Sequence, residues 1–465
     1  MSIHKIINRE NSTVIHARQA LLSTGWVSDV RLSILDGRIV EICPDADPEP
    51  SDVRVDTVLP ALGNLHSHAF QRAMAGMTEH RRAGRDSFWT WRDLMYRFLD
   101  RLMPHQVEAI ATQVQVEMLE AGYASVGEFH YVHHQPGGAP YDDIAELSTR
   151  IFAAAARTGM GLTHLPVLYT YGDAGKSDLE NGQLRFGNDV DGFMRLFDAA
   201  SATLSSLPED ARIGIAPHSL RATAPEDLTR LLAAHCQGPI HMHVAEQPKE
   251  VRDIEAWLGA RPVEWLLGNH DVNDRWCLIH ATHMTDKETR SLAASGAVAG
   301  LCPITEANLG DGPFNGPDYL AAGGRFGIGS DSNVNICLAE ELRTLEYSQR
   351  LRDMRRNVMI PGEGSVGAFL YAEAARGGAQ ALARDAGVIE AGKLADLVAI
   401  DSTNRALCAL SRAQLLDGLV FATKNDVVTD VWSAGRHMVR EGRHIRRDEI
   451  FKDYRAALNE LTTGI

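Results

Sequence analysis

The chain has 465 residues, of which 45% are hydrophobic and 23% are charged, and its formal net charge is −15. This size and composition are typical of a globular protein with one large domain and a smaller module. The acidic balance excludes a general affinity for nucleic acid or anionic membranes, because both partners require a basic face. Residues 1–10 lack the apolar core of a signal peptide, and no later run reaches about twenty apolar residues, so we expect a soluble cytoplasmic protein. The six cysteines show no CxxC spacing, which indicates reduced thiols.

Both ends of the chain contain short runs of strand-forming residues. These runs cover residues 12–16, 30–35 and 39–42 near the start and residues 397–400, 427–432 and 435–439 near the end. The pair Asp36-Gly37 between two of the early runs is a hairpin signal. We therefore predict a small β-sandwich module built from both termini, residues 1–58 and 386–465.

Between these ends, strand-like runs alternate with helix-like runs, which is the pattern of a parallel sheet covered by helices. The strand-like runs are residues 58–65, 123–130, 161–168, 212–217, 240–244, 276–279, 297–301 and 325–329. Helical patterns lie between or after them, for example at residues 105–121, 144–158, 226–236 and 368–384. Eight such strands close a (β/α)8 barrel, so we predict an α/β protein with a TIM-type catalytic barrel over residues 59–385.

Several predicted strands end in histidine or carboxylate side chains, at the end of a barrel where the chemistry takes place. His66 and His68 end the first strand two positions apart, so both rings leave the same face of the backbone. His241 and His243 share a face of the fifth strand in the same way, and Glu246 follows in the loop. One histidine pair alone is a weak sign of metal binding, and the second pair strengthens it.

The sixth strand ends in His280 and the eighth in Asp331. Single residues of this set also have structural alternatives: a hydrogen-bonded core position for His241, a helix cap for Asp331 and a first-turn carboxylate for Glu246. Their occurrence together at strand ends favours one shared site over separate structural roles.

Three imidazoles and one carboxylate suit a divalent cation such as Zn²⁺ or Fe²⁺ and leave room for a water molecule. A metal lowers the pKa of its bound water to about 7, which makes hydroxide available for hydrolysis at neutral pH. Glu246, three residues after His243, would then transfer protons as general acid and base. His280 would polarise or deprotonate at the same centre.

These motifs resemble those of the amidohydrolase superfamily, in particular its deaminases, over nearly the whole chain. The matching stretches are residues 66–68, 243–246, 280, 330–332 and 391–401. The resemblance implies one divalent metal ion, Zn²⁺ in the first place and Fe²⁺ as the alternative. It implies the ligands His66, His68, His243 and Asp331 and the catalytic residues Glu246, His280 and Asp331. The fourth strand carries no lysine that could bridge a second metal, which also favours one metal.

Residues 66–76 and 302–312 are similar to the corresponding stretches of the formimidoylglutamate deiminases of histidine degradation. Nucleobase deaminases usually carry serine and asparagine where this chain has Thr305 and Glu306, which argues against an aromatic base as substrate. The resemblance implies attack of metal-bound hydroxide on N-formimino-L-glutamate, which yields N-formyl-L-glutamate and ammonia. The alternatives are a deaminase or hydrolase of another amidine or of an aminated heterocycle and, from a different class, a catalytically silent barrel that serves as a scaffold.

A glutamyl substrate carries two carboxylates, which arginine binds well through its paired N–H groups. The substrate-binding residues implied by the resemblance are Gln71, Arg92, Tyr131, His218 and Arg221. Packing beside the tryptophans is an equal alternative for Arg92, and a solvated or capping position is the alternative for Gln71. The alternatives for residues 85–96 are a lid and a dimer contact. Related enzymes are commonly homodimers, so we expect a homodimer. Our hypothesis for Glu306 is an ion pair with the substrate amidine.

Overall fold

The computed structural model describes residues 12–79, 88–235 and 237–463, with the backbone alone at residues 88–90 and 93. The strands are β1 (Ser12–Leu22), β2 (Gly25–Leu35), β3 (Arg38–Cys43), β4 (Val53–Pro60), β5 (Leu62–Ser67), β6 (Tyr123–His130), β7 (Gly161–Leu168), β8 (Arg212–Ile213), β9 (Ala216–Pro217), β10 (Ile240–Val244), β11 (Trp276–His280), β12 (Val298–Leu301), β13 (Arg325–Ile328), β14 (Leu397–Ile400), β15 (Val428–Ser433), β16 (Arg436–Arg440) and β17 (Arg443–His444).

The helices are α1 (Phe88–Leu99), α2 (Pro104–Glu120), α3 (Glu146–Thr158), α4 (Val190–Leu204), α5 (Pro225–Ala234), α6 (Pro248–Leu258), α7 (Pro262–Asn269), α8 (Asp286–Ser295), α9 (Pro303–Leu309), α10 (Gly316–Ala321), α11 (Leu338–Asp353), α12 (Val366–Ala381), α13 (Arg412–Ala422) and α14 (Arg447–Thr462). Short 3-10 helices cover Ala69–Met74, Asn181–Arg185 and Asn425–Val427.

Strands from both ends of the chain form one sheet. Among the described residues it has eight strands in the order β17-β16-β15-β14-β4-β1-β2-β3. The antiparallel pairing of β14 with β4 joins the late strands directly to the early ones. Ile15, Leu32, Leu397 and Trp432 are fully buried in a hydrophobic core of this sheet. The β-rich module predicted from both termini is therefore present, and the boundaries at residues 58 and 386 stay a prediction.

The remaining strands form the barrel as two parallel arcs. One arc is β5-β6-β7-β8, with β9 also paired to β7, and the other is β10-β11-β12-β13. Parallel bridges from Ser67 to Asp331 and from Ile215 to Ile240 join the arcs at both seams. Helices lie between successive strands, so the predicted (β/α)8 barrel is confirmed, and the carboxyl ends of its strands meet on one face.

Two predicted strands are interrupted. The apolar run at residues 58–65 serves two sheets, because β4 ends at Pro60 and β5 begins at Leu62, while the Ala61 N–H donates to Asp396 O at 3.0 Å. The fourth predicted strand appears as β8 and β9 with Gly214 between them, where a Cβ atom would lie 2.3 Å from Pro239 O.

Three further expectations concern the chain as a whole. The cysteines at positions 43, 277, 302, 337 and 408 are unpaired within the described residues, and Cys236 lies outside them. In the part of the chain that the structure describes, no helix has the length and apolar character needed to cross a bilayer. Of the predicted lid or dimer contact at residues 85–96, residues 85–87 lie outside the described residues, and the rest begins α1.

Candidate active site

The four predicted metal ligands converge at the carboxyl end of the barrel. The ligating nitrogens of His66, His68 and His243 lie within 4.8 Å of one another. Asp331 Oδ1 lies 3.4 Å from His66 Nε2 and 3.2 Å from His68 Nε2. His66 Nε2 also lies 3.1 Å from His243 Nε2. All four side chains are buried, so a cation between them is shielded from bulk solvent.

Backbone carbonyl groups orient two of these rings. His68 Nδ1 donates to Phe129 O at 3.0 Å, and His243 Nδ1 donates to His218 O at 3.1 Å. Since a carbonyl oxygen only accepts, each ring carries its hydrogen on Nδ1 and offers the lone pair of Nε2. Burial lowers the pKa of His66 to about 3 and also lowers the pKa of His68 and of His243, so the rings are neutral. Their spacing fits a tetrahedral zinc-like cation, whose donor atoms are about 3.3 Å apart.

A buried network of hydrogen bonds, which was not predicted from the sequence, connects the loop after β13 to β5. Asn64 Nδ2 donates to Ser330 Oγ, and Ser330 Oγ donates to Asn333 Oδ1, both at 2.6 Å. Asn333 Nδ2 then donates to Ser67 Oγ at 3.1 Å. Asp331 lies within this network at φ 47°, a left-handed conformation that is strained for a residue other than glycine. The network offsets this strain and holds the Asp331 carboxylate beside the histidines.

Glu246 lies in the loop after β10 and lines the same cavity. Its Oε2 accepts from Arg221 Nη2 at 3.0 Å, and its Oε1 lies 3.9 Å from His280 Nε2. The two carboxylate oxygens of Glu250 accept from the N–H groups of Ala245 and Glu246, each at 3.0 Å, and so fix the loop. Burial raises the pKa of Glu246 against the opposing charges of His280 and Arg221. This carboxyl group therefore holds a proton closer to neutral pH than an exposed glutamate does.

His280 ends β11 among carboxylates. Its Nδ1 lies 3.2 Å from Glu306 Oε1, and its Nε2 lies 3.8 Å from Asp331 Oδ2. Burial acts to lower the pKa of His280, but the Glu306 hydrogen bond and the neighbouring carboxylates outweigh it and raise the pKa to about 10. These carboxylates therefore favour the protonated ring, which can donate from both nitrogens. Cys302 Sγ lies within 4.8 Å of the ligating atoms of His280 and Asp331, but burial raises the pKa of its thiol, which stays neutral.

All five predicted substrate-binding residues line one cavity with about 580 Å³ of atom-free space. They are Gln71, Arg92, Tyr131, His218 and Arg221. Gln71 Nε2 donates to Tyr131 Oη at 2.7 Å, which holds both side chains at the cavity wall. The Arg92 guanidinium lies 5.5 Å from the centre of the Tyr96 ring. Trp91, Arg92, Met95 and Tyr96 of α1 therefore contribute to this wall.

Other lining residues were not predicted. They are Trp91, Met95, Tyr96, Tyr169, Phe186, Thr305, Leu309 and Ser332. Tyr169 follows the last residue of β7, so its position at a strand end was a usable signal. Phe186 follows a 3-10 turn in a long loop, where the sequence carries no such signal.

Two other residues named in the sequence analysis, His241 and Glu306, are not lining residues of this cavity. His241 shares a face with His243 but lies deeper in the barrel, where its Nε2 donates to Ala381 O at 2.8 Å. It is therefore a hydrogen-bonded core histidine, the structural alternative given for it. Glu306 contacts His280, which lines the cavity, and is not itself a lining residue, so its ion pair with the substrate amidine stays a hypothesis.

The sequence profile of the Amidohydrolase family matches residues 57–438. The chain belongs to the amidohydrolase family. Members of this family depend on metal ions, in agreement with the histidine and aspartate cluster. A second profile, that of the N-terminal domain of formimidoylglutamate deiminase HutF, matches residues 12–56.

Among individual relatives of this amidohydrolase, formimidoylglutamate deiminase from Pseudomonas aeruginosa is 48% identical over 452 residues, which cover 97% of this chain and 99% of that protein. The crystal structure of an amidohydrolase from Brucella melitensis superimposes with a TM-score of 0.91 at 50% identity and covers 97% of this chain and 99% of that one. The structure of an adenosine deaminase from Xanthomonas campestris with bound zinc has a TM-score of 0.80 at 22% identity over 97% and 98% of the chains, and it supports the fold alone.

Proposed function

We propose that this amidohydrolase is a formimidoylglutamate deiminase, which hydrolyses N-formimino-L-glutamate to N-formyl-L-glutamate and ammonia in histidine degradation. The observation that carries the proposal is one cavity that brings a buried histidine and aspartate donor set together with the guanidinium groups of Arg92 and Arg221. The donor set suits hydrolysis of a C–N bond, and the guanidinium groups suit a substrate with carboxylates. The relative from Pseudomonas aeruginosa, 48% identical, supports the same substrate.

The residues that would hold the metal are His66, His68, His243 and Asp331. When bound there, a divalent metal lowers the pKa of a water molecule to about 7 and so supplies a nucleophile at neutral pH. Three neutral nitrogens and one carboxylate favour Zn²⁺, with Fe²⁺ as the alternative.

Glu246 and His280 would move the protons. As water adds to the formimino carbon, Glu246 accepts the proton that the water loses. Glu246 donates this proton to the imino nitrogen and then carries the remaining hydroxyl proton of the adduct to the same nitrogen, so that the carbonyl group forms, the C–N bond breaks and ammonia leaves. One carboxyl group can serve both steps because its raised pKa lies closer to neutral pH than that of an exposed glutamate. His280 donates from Nε2 to the oxygen that gains negative charge, while Glu306 holds its Nδ1.

The substrate carboxylates would be bound by cationic and polar side chains that line the cavity beside the metal ligands. Arg92 and Arg221 provide charge, and Gln71, Tyr131 and His218 provide hydrogen bonds. The test is ammonia release by metal-replete protein from a panel of N-formimino-L-glutamate, N-formimino-L-aspartate and aminated purines. Release from a purine alone would contradict the proposal, and release from none of them would favour a silent scaffold.

Removal of the metal is expected to abolish ammonia release. Dialysis against a chelator should give a folded, inactive protein, and a single equivalent of Zn²⁺ or Fe²⁺ should restore activity. His243→Gln is expected to fold but to retain less metal, because one of the converging nitrogens is lost. Metal content by elemental analysis, measured beside activity, checks both statements. Full activity of metal-free protein would contradict the assigned ligand set.

Replacing Arg221 by methionine is expected to raise KM and also to lower kcat. Arg221 lines the cavity, and it also donates to the Glu246 carboxylate at 3.0 Å, so its loss disturbs both binding and proton transfer. A lost hydrogen bond to a charged group costs about 1.5–3 kcal/mol, or roughly tenfold to a hundredfold in each parameter that depends on it. Arg92→Met is the matched variant and should change KM alone. Equal kcat for wild type and Arg221→Met in steady-state kinetics would show that Arg221 does not affect proton transfer by Glu246.

We also propose that the protein is a cytoplasmic homodimer. We propose that residues 59–385 form the barrel and that residues 1–58 and 386–465 form the β-sandwich module. The support for the dimer and the location is the resemblance to related enzymes, and the support for the division is the shared sheet of β4 and β14. The proposed partner is a small molecule, with no nucleic acid and no membrane.

A further inference from the structure

Tyr169 is a cavity residue to which the reaction above gives no role. It follows the carboxyl end of β7, and its side chain is buried except where it meets the cavity. Its ring centre lies 4.6 Å from that of His218. The guanidinium groups of Arg221 and Arg92 both interact electrostatically with its phenol group. The hydroxyl group therefore stands where the proposed substrate carboxylates would enter.

Gln183 fixes the direction of this hydroxyl group. Gln183 Oε1 accepts from the Glu180 N–H at 3.0 Å, and Gln183 Nε2 donates to Gly172 O at 2.9 Å. A backbone N–H only donates and a carbonyl oxygen only accepts, so these two contacts determine which end of the amide carries the hydrogens. The second hydrogen of Gln183 Nε2 then points to Tyr169 Oη at 3.1 Å.

The phenol of Tyr169 is thus an acceptor towards Gln183, and its own hydrogen must point elsewhere. Its charged neighbours Arg92 and Arg221 are donors only and offer no lone pair. Two other neighbours carry lone pairs. The Asp173 carboxylate already accepts from Lys249 Nζ and from the Ala174 N–H, and the Tyr96 hydroxyl group lies in the wall of the same cavity. Burial raises the pKa of Tyr169, so the hydrogen stays on the oxygen at neutral pH.

We infer that Tyr169 donates a hydrogen bond to a carboxylate of the substrate, beside the guanidinium groups, and that Gln183 positions it for this contact. The inference rests on the proposed function in assuming a carboxylated substrate. It makes Tyr169 a specificity residue, because a hydroxyl donor beside two guanidinium groups favours an anionic group over a neutral amide.

The first test replaces Tyr169 by phenylalanine. The KM for N-formimino-L-glutamate is expected to rise about tenfold with kcat changed by less than about twofold, as for the loss of one hydrogen bond to a charged acceptor. Tyr171→Phe is the matched control, because Tyr171 lies on the same loop and does not line the cavity. N-formimino-L-glutamine and 4-formimidoylaminobutyrate each lack one carboxylate. For the analogue that lacks the contacted carboxylate, wild type and Tyr169→Phe should show the same KM.

The second test separates positioning from packing. Gln183→Glu places an acceptor at the phenol, so the hydrogen turns away from the cavity, and KM should rise as in Tyr169→Phe although the phenol is retained. Gln183→Met removes the donor without adding an acceptor, so the hydroxyl group loses its fixed direction but can still turn to the substrate, and KM should rise less than in Gln183→Glu. A purely structural role of Gln183 would give similar changes in both variants, and that result would overturn the positioning role.

Binding of glutarate, measured by calorimetry, tests the inference independently of the proposed reaction. Glutarate should bind wild type about tenfold more tightly than it binds Tyr169→Phe. Equal affinities, or no glutarate binding by wild type, would overturn the inference. Wild type that binds glutarate in a Tyr169-dependent way but releases no ammonia from N-formimino-L-glutamate would overturn the proposed function and leave the inference standing.

Discussion

Glu246→Gln is expected to lower kcat/KM by about 10²–10⁴, the usual contribution of general acid–base catalysis, while the metal content stays unchanged. Glutamine has nearly the same shape and can still contact Arg221, but it cannot accept the proton of the attacking water. Glu246 stands outside the group of His66, His68 and His243, so the ligand set is untouched by this change.

Ammonia release and elemental analysis of the same preparation measure both parts of this expectation. Glu255→Gln is the matched control, because Glu255 is an exposed residue of α6 in the same region of the chain. It should keep wild-type kinetics. If Glu246→Gln lost its metal, Glu246 would belong among the ligands, and if it kept full activity, another group would carry the proton.

The histidines and Asp331 of the site could be predicted because strand ends obey a simple rule. Side chains two residues apart in a strand share a face, and the carboxyl ends of barrel strands meet, so His66, His68 and His243 had to approach one another. The same rule placed His241 on the face of His243. The rule does not predict how deep in the barrel a side chain lies. His241 lies deeper than His243, where it is a core residue hydrogen-bonded to Ala381 O.

The contacts around Glu306 and Tyr169 could not be read from the sequence. Glu306 lies one turn into α9, and only the tertiary placement of this helix brings its carboxylate to His280 at the end of β11. The direction of the Tyr169 hydroxyl depends on Gln183, which lies in a separate 3-10 turn. Such side-chain partners depend on loop conformation, which apolar periodicity does not encode.

Replacing Arg384 by methionine is expected to lower the free energy of unfolding by about 3–5 kcal/mol, the usual cost of removing one partner from a buried ion pair. Arg384 is buried and donates to both carboxylate oxygens of Asp396, at 2.7 and 2.9 Å. It also donates to Asp210 Oδ2 at 3.0 Å. Asp210 precedes β8 of the barrel and Asp396 precedes β14 of the terminal sheet, so this one guanidinium joins the two parts of the chain.

Urea titrations of wild type and Arg384→Met at several pH values measure this cost. Burial acts to raise the pKa of Asp210, but Arg436 and Arg384 outweigh it and lower the pKa below its usual value. A carboxylate with a lowered pKa stabilises the fold above its unfolded pKa of about 3.9 and loses this contribution as the pH falls further. The deficit of Arg384→Met should therefore be full at pH 7 and shrink in acid, where the Asp210 carboxyl group becomes neutral.

Arg38→Met is the matched control for this prediction, since Arg38 pairs with Asp385 at 2.8 Å near the same junction. In that pair the side chains are 43% and 45% exposed, so solvent screens the charges and the expected loss is below about 1 kcal/mol. Equal losses of unfolding free energy in the two variants would mean that the buried cluster of Arg384, Asp210 and Asp396 does not hold the terminal sheet to the barrel. Because the cluster lies at the amino end of the barrel strands and the metal ligands at the carboxyl end, Arg384→Met should keep its kcat at temperatures where it stays folded.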